Sequence, residues 1–265
     1  MTLREMWEAG MPTLGGWCLI PNSFSAELMG RFGFDWVCID AQHGMIGYDQ
    51  MLGMLQALSI TGTPSIVRVA WNAPSDIMKA LDAGANGVIV PMVNSREEAI
   101  AAVGACRYPK RGYRSWGPTR AALQGSEYES LERANRAATC VIMVETVEAV
   151  RNLDEILSVP GVDGVFVGPS DLAISGGLEL DVSAGDPEHN ARIEAIVRAC
   201  KHHNIVAGIA CAGAEAVVRW KEAGFRMLAL QSDAAFMRIA AESLLREVRE
   251  GKPRDRKGEG SRSDV

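Results

Sequence analysis

Two short apolar runs each lead to one carboxylate. Val141-Ile142-Met143-Val144 ends in Glu145, and Gly164-Val165-Phe166-Val167 continues through Gly168-Pro169-Ser170 to Asp171. Runs this short and apolar on both faces read as buried strands of a parallel sheet. An acid placed where such a strand ends points into the mouth of a site. Two acids on neighbouring strands can share one divalent cation. Taken singly, each is also what a helix N-cap or first turn favours. Oxygen ligands with no Cys or His nearby in sequence suit Mg2+ or Mn2+ better than zinc, with Co2+ a further candidate. Two protein carboxylates leave several positions open for water and a chelating substrate.

Three more residues carry chemistry. His43 follows the strand-end Asp40 by three positions in a Gly-bearing loop. A neutral imidazole there takes a proton near pH 7, whereas the plainer reading is a hydrogen-bonded structural histidine. Asp40 either orients it or holds the water shell of a metal. Arg68 is the only charge in Ser65-Ile66-Val67-Arg68-Val69. Burying it unpaired is costly, so it forms an ion pair with one of the acids or a fork for a carboxylate or oxyanion. His189, His202 and His203 fall on a predicted helix and read as surface residues. No lysine falls on a predicted strand, which argues against imine chemistry, and no Gly-x-Ser-x-Gly elbow supports a serine hydrolase.

The elements that must position these residues alternate. Apolar, strand-like runs occupy residues 16–20, 36–40, 65–69, 87–91, 140–145, 164–168, 206–211 and 227–231. A short amphipathic helix precedes them. Helical segments follow, with Ser25 and Ser75 as expected N-caps and Ser95 with Glu98 as a capping box. A Gly-, Pro- and Arg-rich loop runs from 108 to about 125. Strict alternation implies a parallel sheet, and eight units within residues 1–250 fit a single (β/α)8 TIM barrel. The rival doubly wound fold lacks its fingerprint, since Pro21-Asn22-Ser23 stands after the first strand. Residues 251–265 are charged, rich in Gly and Ser, and read as a disordered tail.

Composition excludes several classes. The 265 residues carry a net charge of −6 with no basic stripe, so nucleic acid is not an expected partner. No run is long and apolar enough to span a membrane, and the charged N-terminus lacks a signal peptide's apolar core. The six cysteines form no Cys-x-x-Cys pair and read as buried free thiols of a reducing cytoplasm.

At these residues the chain resembles the HpcH/HpaI aldolase family, the metal-dependent class II pyruvate aldolases of the phosphoenolpyruvate/pyruvate barrel superfamily. The resemblance spans nearly the whole chain. It is carried by Gly33-Phe34-Asp35-Trp36-Val37-Cys38-Ile39-Asp40-Ala41-Gln42-His43, Val67-Arg68-Val69, Leu81-Asp82-Ala83-Gly84-Ala85 and Val90-Pro91-Met92-Val93. Further stretches are Tyr108-Pro109-Lys110-Arg111-Gly112-Tyr113-Arg114, Glu145-Thr146 and Gly168-Pro169-Ser170-Asp171-Leu172.

The resemblance implies that Glu145 and Asp171 bind a divalent metal and that His43, supported by Asp40, carries the acid/base step. It implies that Arg68 holds the pyruvyl oxygen and that peptide N–H groups around Ser170 and Asp171, next to Gly168 and Pro169, bind the pyruvate carboxylate. Asp82 matches an acid contributed across a subunit interface. The implied assembly is a hexamer, a dimer of trimers with the last helix exchanged. Trp17, the stretch 111–118, the stretch 210–214 and a neighbour's residues are expected to wall the distal pocket. Two departures stand out: Gln42 replaces the usual Glu before the histidine, and Met143 replaces a common Gln.

The expected reaction is reversible cleavage of a 4-hydroxy-2-oxo acid to pyruvate, or a close analogue such as hydroxypyruvate, plus an aldehyde. A CoA-ester lyase of the citryl or malyl type and a non-catalytic oxo-acid-binding barrel are the alternatives.

Overall fold

The computed structural model describes residues 1–179 and 185–251. Eight strands, β1 (Thr13–Cys18), β2 (Trp36–Asp40), β3 (Ser65–Arg68), β4 (Gly87–Val90), β5 (Thr139–Val144), β6 (Gly164–Val167), β7 (Val206–Ala210) and β8 (Met227–Ser232), close into one barrel. Each pairs in parallel with the next, and β8 pairs with β1. The expected TIM barrel is therefore the observed fold. Helix α1 (Leu3–Glu8) precedes it. The outer ring holds α2 (Ser23–Arg31), α3 (Tyr48–Thr61), α4 (Pro74–Asp82), α5 (Arg96–Cys106), α6 (Leu131–Ala137), α7 (Val147–Arg151), α8 (Leu153–Leu157), α9 (Pro169–Ser175), α10 (Pro187–His202), α11 (Ala214–Glu222) and α12 (Asp233–Glu250).

Side chains alternate along each strand, so every second residue faces the barrel interior. Those inward positions form one cluster: Trp36, Cys38, Ile66, Ile89, Val141, Met143, Phe166, Met227 and Ala229. Leu3 and Trp7 of α1 join it from below and close the N-terminal end of the barrel. The Trp7 indole donates to Thr13 Oγ1 at 3.1 Å, which fixes the plug to β1. Bulk inside is complementary. A Cβ on Gly15 would lie 2.2 Å from the Trp36 ring, and one on Gly208 would lie 2.8 Å from the Phe166 ring. The two glycines make room for the Trp36 and Phe166 rings of neighbouring strands. A second apolar layer, between the strands' outer faces and the helices, contains most of the remaining buried aliphatic residues.

Several boundaries differ from expectation for local reasons. Asn22, not Ser25, caps α2: its Oδ1 accepts from the N–H groups of Phe24 and Ser25 at 2.8 and 3.3 Å. Ser25 instead donates its hydroxyl to Asp233 at 2.8 Å. Helix α4 starts at Pro74, preset for a first helical turn, one residue before Ser75. The Ser95–Glu98 box forms as expected. Helix α6 was not foreseen; Ser130 caps it. The tail expectation falls on residues outside the described ones, apart from Gly251, whose φ of +65° ends α12. All six cysteines are buried and unpaired, and no helix among the described residues is long and apolar enough to cross a membrane.

Candidate active site

The inward alternation delivers the chemistry. Trp36 and Cys38 lead to Asp40, Ile66 leads to Arg68, Val141 and Met143 lead to Glu145, and Phe166 leads to Gly168. All of these end at the C-terminal mouth of the barrel, where barrel chemistry resides. Strand register then decides which groups meet. Asp40 stands directly opposite Arg68 across the β2–β3 ladder. Val144 stands opposite Val167, so Glu145 and Gly168 leave the barrel side by side.

Asp40 is fully buried and saturated. Arg68 Nε donates to its Oδ1 at 3.0 Å, and Arg68 Nη2 donates to Oδ2 in a bidentate ion pair. The Trp17 indole donates to Oδ2 at 3.0 Å, and the peptide N–H groups of Gln42 and His43 donate to Oδ1 at 3.0 and 3.1 Å. Burial alone would raise this carboxyl, but the hydrogen bonds and charge of Arg68, with Trp17 and the His43 amide, hold it below the usual carboxylate range. The ion-pair reading of Arg68 is the one seen. The guanidinium also stacks 5.1 Å from the centre of the Trp17 ring, and Nη1 makes no hydrogen bond among the described residues. Asp40 supports His43 through the backbone of the 41–43 turn. Among the described residues the His43 ring has no hydrogen bond, so its orientation is not set by Asp40.

Glu145 is not a helix cap, since Thr146 caps α7. Its side chain is buried at 2% exposure, and Oε1 accepts from the Met92 N–H at 2.8 Å. Met92 reaches that position through a left-handed backbone, φ +55°, a conformation uncommon for a non-glycine residue and typical of functional sites. Burial raises the Glu145 carboxyl, and the Asp171 charge adds to the shift, against the Met92 amide and Arg68. Asp171 lies in the first turn of α9, exposed, with no hydrogen bond to its side chain among the described residues. Two acids close enough for their charges to interact, one buried without a counter-ion in contact, are a donor set that a hard divalent cation satisfies. No cluster of three or more His, Cys, Asp and Glu that could hold a metal ion occurs among the described residues. The peptide N–H groups of Ser170 and Asp171 have no acceptor within the helix, because the first helical N–H groups never do.

Gly168 is required by this packing. A Cβ there would lie 2.6 Å from Glu145 Oε2 and 3.1 Å from its Cβ. Gly168→Ala therefore displaces the Glu145 carboxylate while leaving most of the core untouched. The expected result is a fall in kcat/KM on the order of 10²-fold in steady-state assays, with a circular-dichroism spectrum like that of the wild type.

A cavity of about 790 Å³ opens over these groups. Trp17, Asp40, His43, Arg68, Gly168, Pro169, Ser170 and Asp171 all border it, as does Met143; the buried Glu145 lies behind Gly168 and is not among its lining residues. Cys211 borders it too, but burial pushes its thiol up to about 12, which leaves it unreactive at neutral pH. The four lysines among the described residues, Lys79, Lys110, Lys201 and Lys221, lie on helices or in the 107–120 loop, none on a strand.

Two expectations, for His189 and for the 111–118 stretch, are corrected or displaced. His189 is not a surface residue: it is 2% exposed and its ring lines the cavity. Asp82 ends α4, at the opposite end of the barrel from the cavity, and accepts from Arg114 at 2.6 Å. The 111–118 stretch lies beside it and does not border this chain's cavity. A second cavity, of about 760 Å³, opens at that lower end among Thr63, Ser65, Asn86, Arg136 and Thr139, remote from the strand-end acids.

The family model HpcH/HpaI aldolase/citrate lyase matches residues 14–239, from β1 into α12. The chain belongs to the HpcH/HpaI aldolase/citrate lyase family. It is 41% identical to a hydroxypyruvate/pyruvate aldolase of Rhizorhabdus wittichii, over 93% of this chain and 98% of that protein. It is 37% identical to a 4-hydroxy-2-oxo-heptane-1,7-dioate aldolase of Escherichia coli, over 92% of this chain and 93% of that protein. Among solved structures, an HpcH/HpaI family protein from Burkholderia cenocepacia superposes with a TM-score of 0.85 at 30% identity, covering 93% of this chain and 98% of that one. The family resemblance read from the sequence and the barrel built from it thus agree.

Proposed function

We propose that this family member is a divalent-metal-dependent aldolase that reversibly cleaves a 4-hydroxy-2-oxo acid to pyruvate, or to a close analogue such as hydroxypyruvate, and an aldehyde. The observation that carries the reading is the buried Glu145 carboxylate where β5 ends, within reach of the Asp171 charge and of the Asp40-anchored Arg68. The aldolase names of the relatives support the reaction class. A divalent cation held by Glu145 and Asp171 would polarise the 2-oxo group and stabilise the developing enolate.

The chain's own residues do the rest. The free N–H groups of Ser170 and Asp171 bind the carboxylate of the oxo acid. Arg68, held by Asp40, keeps a fixed positive charge where negative charge develops. His43 takes the proton from the 4-hydroxyl. The C3–C4 bond then breaks, its electron pair becomes the enolate, and C4 leaves as the aldehyde. Protonation of the enolate carbon gives pyruvate, and the same steps reversed build the bond. Trp17, over Arg68, excludes water from one side.

Chelation is the direct test. Cleavage activity is expected to vanish in EDTA and to return with Mg2+, Mn2+ or Co2+. Borohydride with pyruvate is expected to leave no covalent adduct, since no lysine among the described residues borders the cavity. Full activity in metal-free enzyme, or a trapped adduct, would falsify the proposal.

The reading includes a homo-oligomer, a hexamer with α12 exchanged between subunits. Its support is the exposure of Met237, Ile239, Leu244, Leu245 and Val248 on that helix. Asp82 and the 111–118 stretch, remote from their own cavity, would then serve a neighbour's. A cytoplasmic location accords with the six unpaired thiols.

A further inference from the structure

The cavity has a reaction end and a distal lobe. The reaction end holds Asp40, Asp171, Arg68 and His43; the lobe lies between α10 and α11, against Ile193, Ala216 and Trp220. An oxo acid anchored at the strand ends sends its aldehyde-derived carbons away from the acids, and the lobe receives them. His189 is the buried polar residue of its wall; Asn190, Glu215, Arg219 and Gln231, which also line the cavity, are exposed or half-buried. His189 is 2% exposed and borders the cavity, and its Nδ1 is sealed without a hydrogen-bond partner among the described residues. No hydrogen bond to Nε2 occurs among them either. Asp186 accepts from the His189 peptide N–H at 2.7 Å and pins the residue in the first turn of α10.

A buried polar group without a partner costs about 1–3 kcal/mol, and a bare acceptor is tolerated better than a bare N–H. The sealed Nδ1 is therefore the unprotonated nitrogen, and Nε2 carries the proton that faces the lobe. Burial, and the Arg192 charge beside it, hold the ring below the usual histidine range against the pull of Asp186, in keeping with a neutral donor.

We infer that His189 is a specificity-determining residue, whose Nε2–H hydrogen-bonds an oxygen on the aldehyde-derived end and so selects acceptors with a hydroxyl or carbonyl beyond the aldehyde carbon. The inference rests on the aldolase reading and goes further, by naming a class of acceptor. A buried hydrogen-bonding group discriminates against the analogue that leaves it unpaired.

The test is the ratio of kcat/KM values for matched aldehydes added to pyruvate. 3-Hydroxypropanal is compared with butanal, and 4-hydroxybutanal with pentanal, in each case exchanging a hydroxyl for a methyl group. The wild type is expected to favour at least one hydroxyaldehyde by roughly tenfold. His189→Leu is expected to bring that ratio to about one, and His189→Gln to retain part of it. The ratio cancels any general loss of fold or of the reaction end, which both aldehydes share. An unchanged ratio in His189→Leu overturns the assignment. Pyruvate methyl exchange in deuterium oxide reports the oxo-acid end with no aldehyde present. Its absence in wild-type enzyme takes down the aldolase reading and this inference together; its presence with an unmoved ratio takes down this inference alone.

Discussion

Glu145→Gln is expected to lower kcat/KM for oxo-acid cleavage on the order of 10³-fold, the scale of removing a principal charge-stabilising group. The same substitution separates metal binding from folding. In the wild type, Mg2+ or Mn2+ at a hundredfold excess over its Kd is expected to stabilise the fold by about 2.7 kcal/mol, roughly 5–10 °C in Tm for a chain of this size. The variant is expected to show almost none of that shift. Without metal it should be no less stable than the wild type at pH 7. The raised Glu145 carboxyl is a burden that is absent below the ordinary carboxylate range and grows as pH rises through it. Glutamine carries no such burden. Thermal melts with and without metal decide the matter, and a full metal-induced shift in Glu145→Gln would remove this residue from the ligand set.

Arg68→Ala is expected to cost about 3–5 kcal/mol at pH 7, because it strands a fully buried Asp40 carboxylate. It should also reduce kcat/KM by more than about 10²-fold, through loss of the charge beside the reacting oxygens. The pH dependence fixes the cause. In the wild type the Asp40 carboxyl is depressed, so its contribution is present above the ordinary carboxylate range and is lost as pH falls through the folded-state value. In Arg68→Ala burial goes largely unopposed, the carboxyl is raised, and protonation relieves the penalty. The stability gap between the two proteins should therefore be widest near neutrality and shrink towards pH 4. Asp40→Asn combined with Arg68→Leu should recover part of the loss, since neither partner is then left charged and alone. Urea unfolding across the pH range measures all three, and a gap independent of pH would refute the account.

The strand-end acids were legible because a period of two, read back from Glu145 through Met143 and Val141, keeps them on the inward side. The partner of Arg68 was not. Ion pair and substrate fork were both open until the β2–β3 register put Asp40 beside it. The 111–118 stretch was expected to wall the distal pocket, and Asp82 to serve a neighbour's site. Helices α4 and α5 run back from the mouth, so whatever follows their ends lies at the other end of the barrel. His189 was missed although a signal existed. With Ile193, Ile196, Val197 and Cys200 it forms the buried stripe of α10 at helical spacing. The polarity of a histidine outweighed its position in that stripe. Ser25 lost the cap to Asn22 because Asp233 engages its hydroxyl.

The pairing of Gly15 with Trp36 and of Gly208 with Phe166 bears on how such an enzyme can diversify. Neither partner can change size alone, since adding bulk to a close-packed interior forces strain and removing it opens a void. Beneath the oxo-acid end, inheritance must therefore alter two strands at once or none. Helices α10 and α11 carry no such interlock at the lobe, and single substitutions there can redraw the clientele of aldehydes while the carbon–carbon chemistry stays as it was.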